Sequence, residues 1–314
     1  VLDQLRFIKI ILFKKFDIIH INPSLNFKSF IRDGLFIFWA KRKSLPVIIF
    51  IHGWKDSFYD KISGLLTFFF NKTYKKADRF IVLASDFKSK LISKDITQPI
   101  HILTTSVDNS LVRNFSIENK IEKIHNSSII KILFLSRIEK EKGIFETIDA
   151  FKILFEHGYN VSLSIAGDGN ATKEVRDYIA ENDLQSNVYM VGYVRGEEKQ
   201  KMFKDHDIYC FPTYYGEGMP NSVLEAMAFG MPVVTRPIGG IKDFFQNGYM
   251  GYLSESTQPE EIAECIKKII NNKKILCNIA LYNHSFAIKN FMASKVARKL
   301  INEYEDLHAV QKGN

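Results

Sequence analysis

From residue 211 to residue 240 the chain reads FPTYYGEGMPNSVLEAMAFGMPVVTRPIGG. A run of apolar residues over 208–211 ends at Phe211. A loop with Gly216, Gly218 and Pro220 follows, then a helical pattern over 222–229, then a second apolar run over 233–235. Strand, glycine loop, helix and strand make one turn of a parallel α/β fold. Glycines just ahead of a helix N-terminus let backbone N–H groups approach an anion, and the helix dipole favours negative charge there. Glu217 and Glu225 flank the helix start, one before it and one about a turn inside. That spacing suits two hydroxyl-bearing parts of one ligand whose phosphates lie at the helix tip. Ser222 to Glu225 also spells S-x-x-E, a capping box, so closure of the helix start is the other reading of Glu225. Glycines in such a loop also serve turn geometry alone.

The same unit recurs on both sides. Downstream of residue 129, strands are expected at 130–136, 162–166 and 188–191, with helices at 142–156, 171–182 and 197–205; Ile144, Ile148, Phe151 and Phe155 share one helix face. Helices at 259–270, 274–286 and 291–308 finish the chain. Upstream, short Ile-, Val- and Phe-rich runs at 16–22, 47–52, 80–84 and 100–105 read as strands buried on both faces, with helices at 26–43, 57–77 and 86–94 between them. Residues 116–128 are polar and lack a strong period, which places a linker at 119–128. The expected fold class is α/β: two doubly wound Rossmann-like domains, 1–118 and 129–290, facing across a cleft, with the helix at 291–308 returning to the first. Ligands in such sheets bind beyond the carboxyl ends of the strands, hence in the cleft.

Composition bounds the function. The 314 residues are 46% hydrophobic and 25% charged, ordinary for a folded chain. Cys210, Cys265 and Cys277 form no C-x-x-C pair, which argues against a disulfide framework or a cysteine zinc site and fits a reducing cytoplasm. No apolar run has the length of a membrane span. Residues 1–115 hold 19 Lys and Arg against 9 Asp and Glu, so the formal net charge of +8 resides wholly in the first third.

Three further stretches face the expected cleft. In FLSRIEKEKG, residues 134–143, Arg137 and Lys142 follow a strand end and can pair with a diphosphate, or belong to a solvated charge run with Glu139, Lys140 and Glu141. IAGDG, residues 165–169, places Gly167 and Gly169 after another strand. Thr172 stands where a dinucleotide fingerprint needs a third glycine, which weakens a nicotinamide oxidoreductase reading. His52-Gly53 ends the strand VIIFIHG, where a histidine either donates to substrate hydroxyls or phosphate, or packs against the sheet edge. His20 lies further inside its apolar run and reads as packing.

Together these motifs resemble the family-4 glycosyltransferases, which have the GT-B fold and use nucleotide-diphosphate sugars. The resemblance rests on E-x7-E (Glu217 to Glu225), the AMAFGMPVV run, the Gly239-Gly240 turn, R-x4-K (Arg137, Lys142), AGDG, VGYV at 191–194 and the HG pair, all in the family's order. It implies that Arg137 and Lys142 hold the donor diphosphate, that Glu217 contacts the donor sugar and that the backbone from Gly218 through Met219 and Pro220 to Asn221, with Ser222, meets the sugar and diphosphate. It further implies that Glu225 binds the ribose, that Gly169 and Val194 border the base, and that His52 reaches the transferred sugar. Retention of anomeric configuration and independence of any bound metal or cofactor are implied as well, with UDP-sugars ahead of GDP-sugars as donors. A GT-B module that binds a nucleotide sugar without transferring it is the alternative function.

Members usually open with a strand and a glycine-rich loop. This sequence instead opens VLDQLRFIKIILFKKFDIIH, and its first methionine is Met190; the expectation is that opening βα units are missing and that the first domain is incomplete. The basic first third, with residues 41–43, Lys72, Lys75 and Lys76 beside LFIFWA (35–40) and GLLTFFF (64–70), suits an anionic membrane surface and a glycan or lipid-linked acceptor, or else a solvated charge shell over an aromatic core. The corresponding location is cytoplasmic, peripheral on the inner membrane face. No recognition motif for nucleic acid accompanies the charge.

Overall fold

The named strands fall into two sheets, both parallel throughout. The computed structural model describes residues 2–24, 26–54 and 62–312. The first sheet has the order β1 (Ile19–Ile21), β2 (Val47–Ile51), β3 (Arg79–Val82), β4 (Ile100–Ile102). Each residue of β2 is buried, as its unbroken apolar run requires. Val47, Ile49 and Ile51 point into a core with Phe30 and Ile37 of helix α2 (Phe27–Arg42) and Phe70 of helix α3 (Leu65–Lys72). Ile48, Phe50 and Ile81 point the other way, into the core that includes Met292 and Leu307 near the C-terminus.

That second face is covered by a helix from the far end of the chain. Helix α12 (Ala293–Lys312) returns to this sheet, where Arg79 donates to the carboxylate of Glu303 at 2.7 Å and to its carbonyl oxygen at 2.8 Å.

The second sheet has six strands in the order β10-β9-β8-β5-β6-β7: Gly251–Leu253, Val233–Thr235, Ile208–Phe211, Ile130–Leu135, Val161–Ala166 and Val188–Gly192. Chain order runs outward from β5 through β6 to β7, then returns to β8 on the other side of β5. The topological switch point therefore lies between β5 and β8, and ligands of open α/β sheets sit at such a point. The residues that leave these two strand ends are Ser136-Arg137 and Pro212 to Glu217.

Several expectations change. The segment 119–128, read as a linker, is mostly helix: α5 spans Ile117–Asn126, capped by the Ser116 hydroxyl accepting from the Asn119 amide at 3.1 Å. Its apolar stripe is only Ile117, Ile121 and Ile124, too thin to announce a helix in a polar context, yet Ile117 and Ile124 are buried. Lys120 on the same helix is also buried. Its ammonium donates to the carbonyls of Phe203 and Lys204 at 3.2 and 3.1 Å and to that of His206, satisfying the open C-terminal carbonyls of helix α8 (Gly196–Asp205). A helix at Leu2–Phe13, α1, and the strand β10 went unread in the sequence. Of the helix expected at 57–77, residues 57–61 lie outside the described chain; the rest is α3 followed by a 3₁₀ turn at Tyr74–Lys76. The helix expected at 142–156 starts later, at Ile144, because Gly143 sits in the left-handed region at φ 80° and breaks it from the 3₁₀ turn Lys140–Lys142.

The two sheets are joined closely at their carboxyl ends. A β-carbon placed on Gly218 would run into the carbonyl oxygen of His52, and one on Gly240 into that of Leu83. The Gly240 amide donates to the Gly218 carbonyl at 2.8 Å, which ties the two glycines together. Nearby, Asp243 accepts from the Ser85 amide at 2.7 Å and the Ser85 hydroxyl at 2.5 Å. It thus caps helix α4 (Ser85–Ile92) from the opposite domain, where Ala84 supplies no side-chain cap.

Gly218 and Gly216 form a matched pair for testing this junction. The nearest atom to a β-carbon on Gly216 is the Trp54 carbonyl oxygen at 3.6 Å, an ordinary contact. Gly218→Ala should therefore cost about 1–3 kcal/mol in a urea melt, and Gly216→Ala no more than about 0.5 kcal/mol. Equal losses for the two would contradict the backbone contact.

Candidate functional site

A cavity of about 1060 Å³ opens where the two sheets face each other. His52 and Leu83 line it from the first domain, and the ends of β5 and β6 together with the 217–222 segment line it from the second. The volume fits a ligand larger than a single sugar.

Its rear wall is set by the strap after β8. The amides of Tyr214 and Tyr215 both donate to the Glu141 carbonyl at 3.0 Å, and the Thr213 hydroxyl donates to it at 3.1 Å. This fastens the loop to the 3₁₀ turn that carries Lys142. The Lys142 ammonium then forms an ion pair with the Glu217 carboxylate, and it lies 4.0 Å from the centre of the Tyr215 ring. The Lys142 side chain is 5% exposed and that of Glu217 18%, so both charges are largely shielded from water. Lys142 is not itself on the cavity lining; Glu217, in front of it, is. Arg137 does line the cavity, with its side chain 62% exposed and its guanidinium on Glu139 at 2.8 Å.

Helix α9 (Asn221–Ala228) starts directly at the cavity. Pro220 is its N-cap residue and offers no side-chain hydrogen bond to the first amides, so the donors of the first turn have no capping side chain. Gly218, Met219, Pro220, Asn221 and Ser222 all line the cavity. The capping-box reading of Glu225 does not hold, since Ser222 lies inside the helix and Pro220 stands at the N-cap. Glu225 instead projects to the cavity wall, where Oε1 accepts from the Lys199 ammonium at 2.7 Å. Its Oε2 is buried without a hydrogen-bond partner. Burial pushes the Glu225 carboxyl up, and Lys199 opposes that push.

The AGDG turn divides. Gly167 and Asp168 line the cavity but Gly169 does not. Gly169 is turned into the protein, where a β-carbon would press on Ile138, and its amide donates to Asp168 Oδ1 at 2.8 Å. Val194 is buried at the cavity wall, beside the start of α8.

His52 is exposed at the opposite lip. Its Nε2 is 2.9 Å from Asn22 Oδ1, and the Nε2 of His20 is 3.1 Å from the same oxygen. One carbonyl oxygen thus accepts from both rings, while His20 Nδ1 meets the Tyr304 hydroxyl of α12 at 2.5 Å. Burial lowers the pKa of both histidines, and for His52 the neighbouring His20 adds to it, so neutral rings are favoured. His20 does pack, on Phe50 at 6.0 Å, but it also belongs to this chain of contacts. Sequence reading missed Asn22, Tyr304 and Lys199. Asn22 stands two residues beyond His20, a short-range signal; Lys199 could be found only by asking which face of α8 meets Glu225.

The structure thus brings Arg137, Glu217, the 218–222 segment, Glu225, Val194 and His52 to one cavity, with Lys142 behind Glu217, and leaves Gly169 outside it. Comparison with known proteins places the chain. It is 29% identical over 257 residues to an uncharacterized glycosyltransferase of Methanocaldococcus jannaschii, which covers 80% of this chain and 61% of that protein. It is 29% identical over 233 residues to the capsular polysaccharide biosynthesis glycosyltransferase CapM of Staphylococcus aureus, covering 70% of this chain and 59% of that protein. The chain therefore spans about three fifths of the length of these curated relatives. Among solved structures, HepE of Anabaena in complex with UDP is similar over 96% of this chain and 82% of that one, with TM-score 0.79 and 16% identity. The sucrose-phosphate synthase of Thermosynechococcus elongatus is similar over 98% and 78%, with TM-score 0.74 and 17% identity. Both likenesses speak to the fold, the two-domain GT-B architecture. The segment from α5 to the middle of helix α11 (Lys273–Asn290), residues 116–284, matches the family described as glycosyl transferases group 1, and the chain belongs to that family.

Proposed function

We propose that this chain transfers a sugar, with retention of configuration, from a nucleotide-diphosphate sugar to a glycan or lipid-linked acceptor in the synthesis of a surface polysaccharide. The observation that carries this reading is the meeting of Arg137, the Lys142–Glu217 pair and the N-terminus of α9 at the switch point of one sheet. In the transfer, the bond between the anomeric carbon and the diphosphate oxygen breaks, its electron pair leaves with the nucleoside diphosphate, the acceptor hydroxyl oxygen bonds to the same carbon, and the hydroxyl proton passes to the departing diphosphate. Negative charge therefore grows near two cations, the buried Lys142 and the exposed Arg137, and an uncapped helix tip, which supplies the stabilisation that a divalent ion gives elsewhere. Glu217 meets the donor sugar, the 218–222 segment meets sugar and diphosphate, Glu225 takes the ribose hydroxyls and Val194 borders the base, with Gly167 in the place first given to Gly169. His52 reaches across from the acceptor-side domain, 1–118, to the donor domain, 129–290. UDP is the favoured carrier; the UDP complexes of HepE and of a pneumococcal O-GlcNAc transferase, whose fold this chain shares, are consistent with it.

The acceptor side faces a basic domain. LFIFWA turns partly inward, since Ile37 and Ala40 are buried. Leu65 at 87% and Phe68 at 62% are exposed on α3, with Lys72 above the Phe68 ring at 5.6 Å, and Leu2 and Phe13 of α1 are exposed as well. No helix among the described residues is long and apolar enough to cross a membrane. This pattern supports apposition to an anionic leaflet through α3. Sedimentation with anionic vesicles should show binding that falls with salt and is weakened in Leu65→Ser/Phe68→Ser; failure to bind removes the membrane from the proposal and leaves the transfer reaction.

The transfer reading is tested with a nucleotide panel. UDP should raise the melting temperature, more than GDP or ADP, with roughly 2.7 kcal/mol of stabilisation at a hundredfold excess over Kd. Glu225→Ala should abolish the shift. Lys142→Ala should lower turnover at saturating donor by roughly 10²–10³, the usual worth of one preorganised charge contact. Binding without any sugar transfer would favour the nucleotide-sugar-binding module instead, and full turnover by Lys142→Ala would overturn the leaving-group role.

A further inference from the structure

Glu225 is a carboxylate in two different states at once. Its Oε1 is taken by Lys199 at 2.7 Å, while its Oε2 is buried and has no partner. Both residues line the cavity, and their side chains are 10% and 26% exposed. A buried carboxylate oxygen left unmade is costly, and a ligand that donates to it removes the cost. Two adjacent hydroxyls are the natural complement of one such carboxylate, because each donates and the carboxylate only accepts.

We propose that Lys199 is the positioning residue of the ribose subsite: from the first turn of α8 its ammonium holds Oε1 of Glu225 and so fixes the carboxylate at the cavity wall for a vicinal diol. This rests on the donor-site reading above. The charge balance around Glu225 makes the dependence on Lys199 explicit. Burial opposes ionisation and the Asp108 charge opposes it further, while the Lys199 charge favours it. Tyr209, from β8, is kept neutral chiefly by its burial, with the Glu225 charge adding to it. Arg113, Arg195 and Glu197 stand elsewhere on the cavity wall. A protonated Glu225 carries a hydrogen where the diol must donate, so diol binding and ionisation are coupled.

With Lys199 removed, the two upward pushes on the carboxyl stand unopposed, and ribose binding becomes pH-dependent in the direction of tighter binding at higher pH. The test is calorimetric titration of the whole chain with UDP and with 2′,3′-dideoxy-UDP between about pH 6 and pH 8. In the wild-type protein the ratio of UDP to dideoxy-UDP affinity should be nearly flat across this range, the titration of the terminal phosphate being common to both nucleotides. Lys199→Met should bind UDP more weakly at the acid end, by up to roughly tenfold per pH unit below the carboxyl pKa, and should bind dideoxy-UDP as the wild type does at every pH. Lys199→Arg, which keeps the charge, should restore the flat profile. UDP affinity in Lys199→Met that matches the wild type at every pH overturns the role of Lys199, as does an equal loss for UDP and dideoxy-UDP, which would mark Lys199 as merely structural. A wild-type chain that binds no UDP, or binds both nucleotides alike, overturns the ribose site itself, a different result from either.

Discussion

The two domains touch backbone to backbone at the mouth of the cavity. Gly218 lies against the His52 carbonyl and Gly240 against the Leu83 carbonyl, each at a place where no side chain fits. Everything that faces the cavity is positioned by this contact. It sets the distance between His52 on one lip and Glu217 on the other, because both are immediate neighbours in sequence or space of the glycines that meet. Glycine is the only residue that permits so close an approach without moving a strand. The Asp243 cap on α4 crosses the same junction at its flank.

Charge is arranged on this frame in an unusual order. Lys142 sits behind Glu217, roofed by the Tyr215 ring, and is nearly closed to water. A buried ion pair is weak evidence of stability, since desolvation offsets most of the attraction. Its value here is preorganisation: the lysine is fixed by three hydrogen bonds from the 213–215 strap to the Glu141 carbonyl before any ligand arrives. Arg137 is the opposite case, an exposed side chain whose partner Glu139 is two residues away and is easily exchanged for a phosphate. One cation is therefore rigid and one is mobile.

The sequence made the second sheet readable and the first only partly so. Ile208–Phe211 is buried on both faces, so its apolar run is continuous and short, bounded by Asp207 and Pro212, and Ile130–Leu135 is interrupted only by the exposed Lys131. Helix α5 was hidden because its stability comes from contacts remote in sequence: a three-residue apolar stripe and a lysine whose partners are more than eighty positions away. Leu2–Phe13 has apolar residues on several sides and buries only Ile11, so it has no clear period to read. At the site, motif residues on loops after strands were legible because strand ends point into the cleft by topology alone. Gly167 lines the cavity and Gly169 does not, which a turn of two glycines does not announce; the Ile138 backbone against Gly169 decides it. Lys199 carries no motif at all, since its meaning lies in where the partner helix places Glu225.

The most direct examination of the whole account is a crystal structure of the chain soaked with UDP. The account requires the diphosphate against the first turn of α9 with Arg137 and Lys142 reaching it, the ribose on Glu225 and the base by Val194. UDP bound with its ribose away from Glu225, or its diphosphate away from the α9 tip, would contradict it.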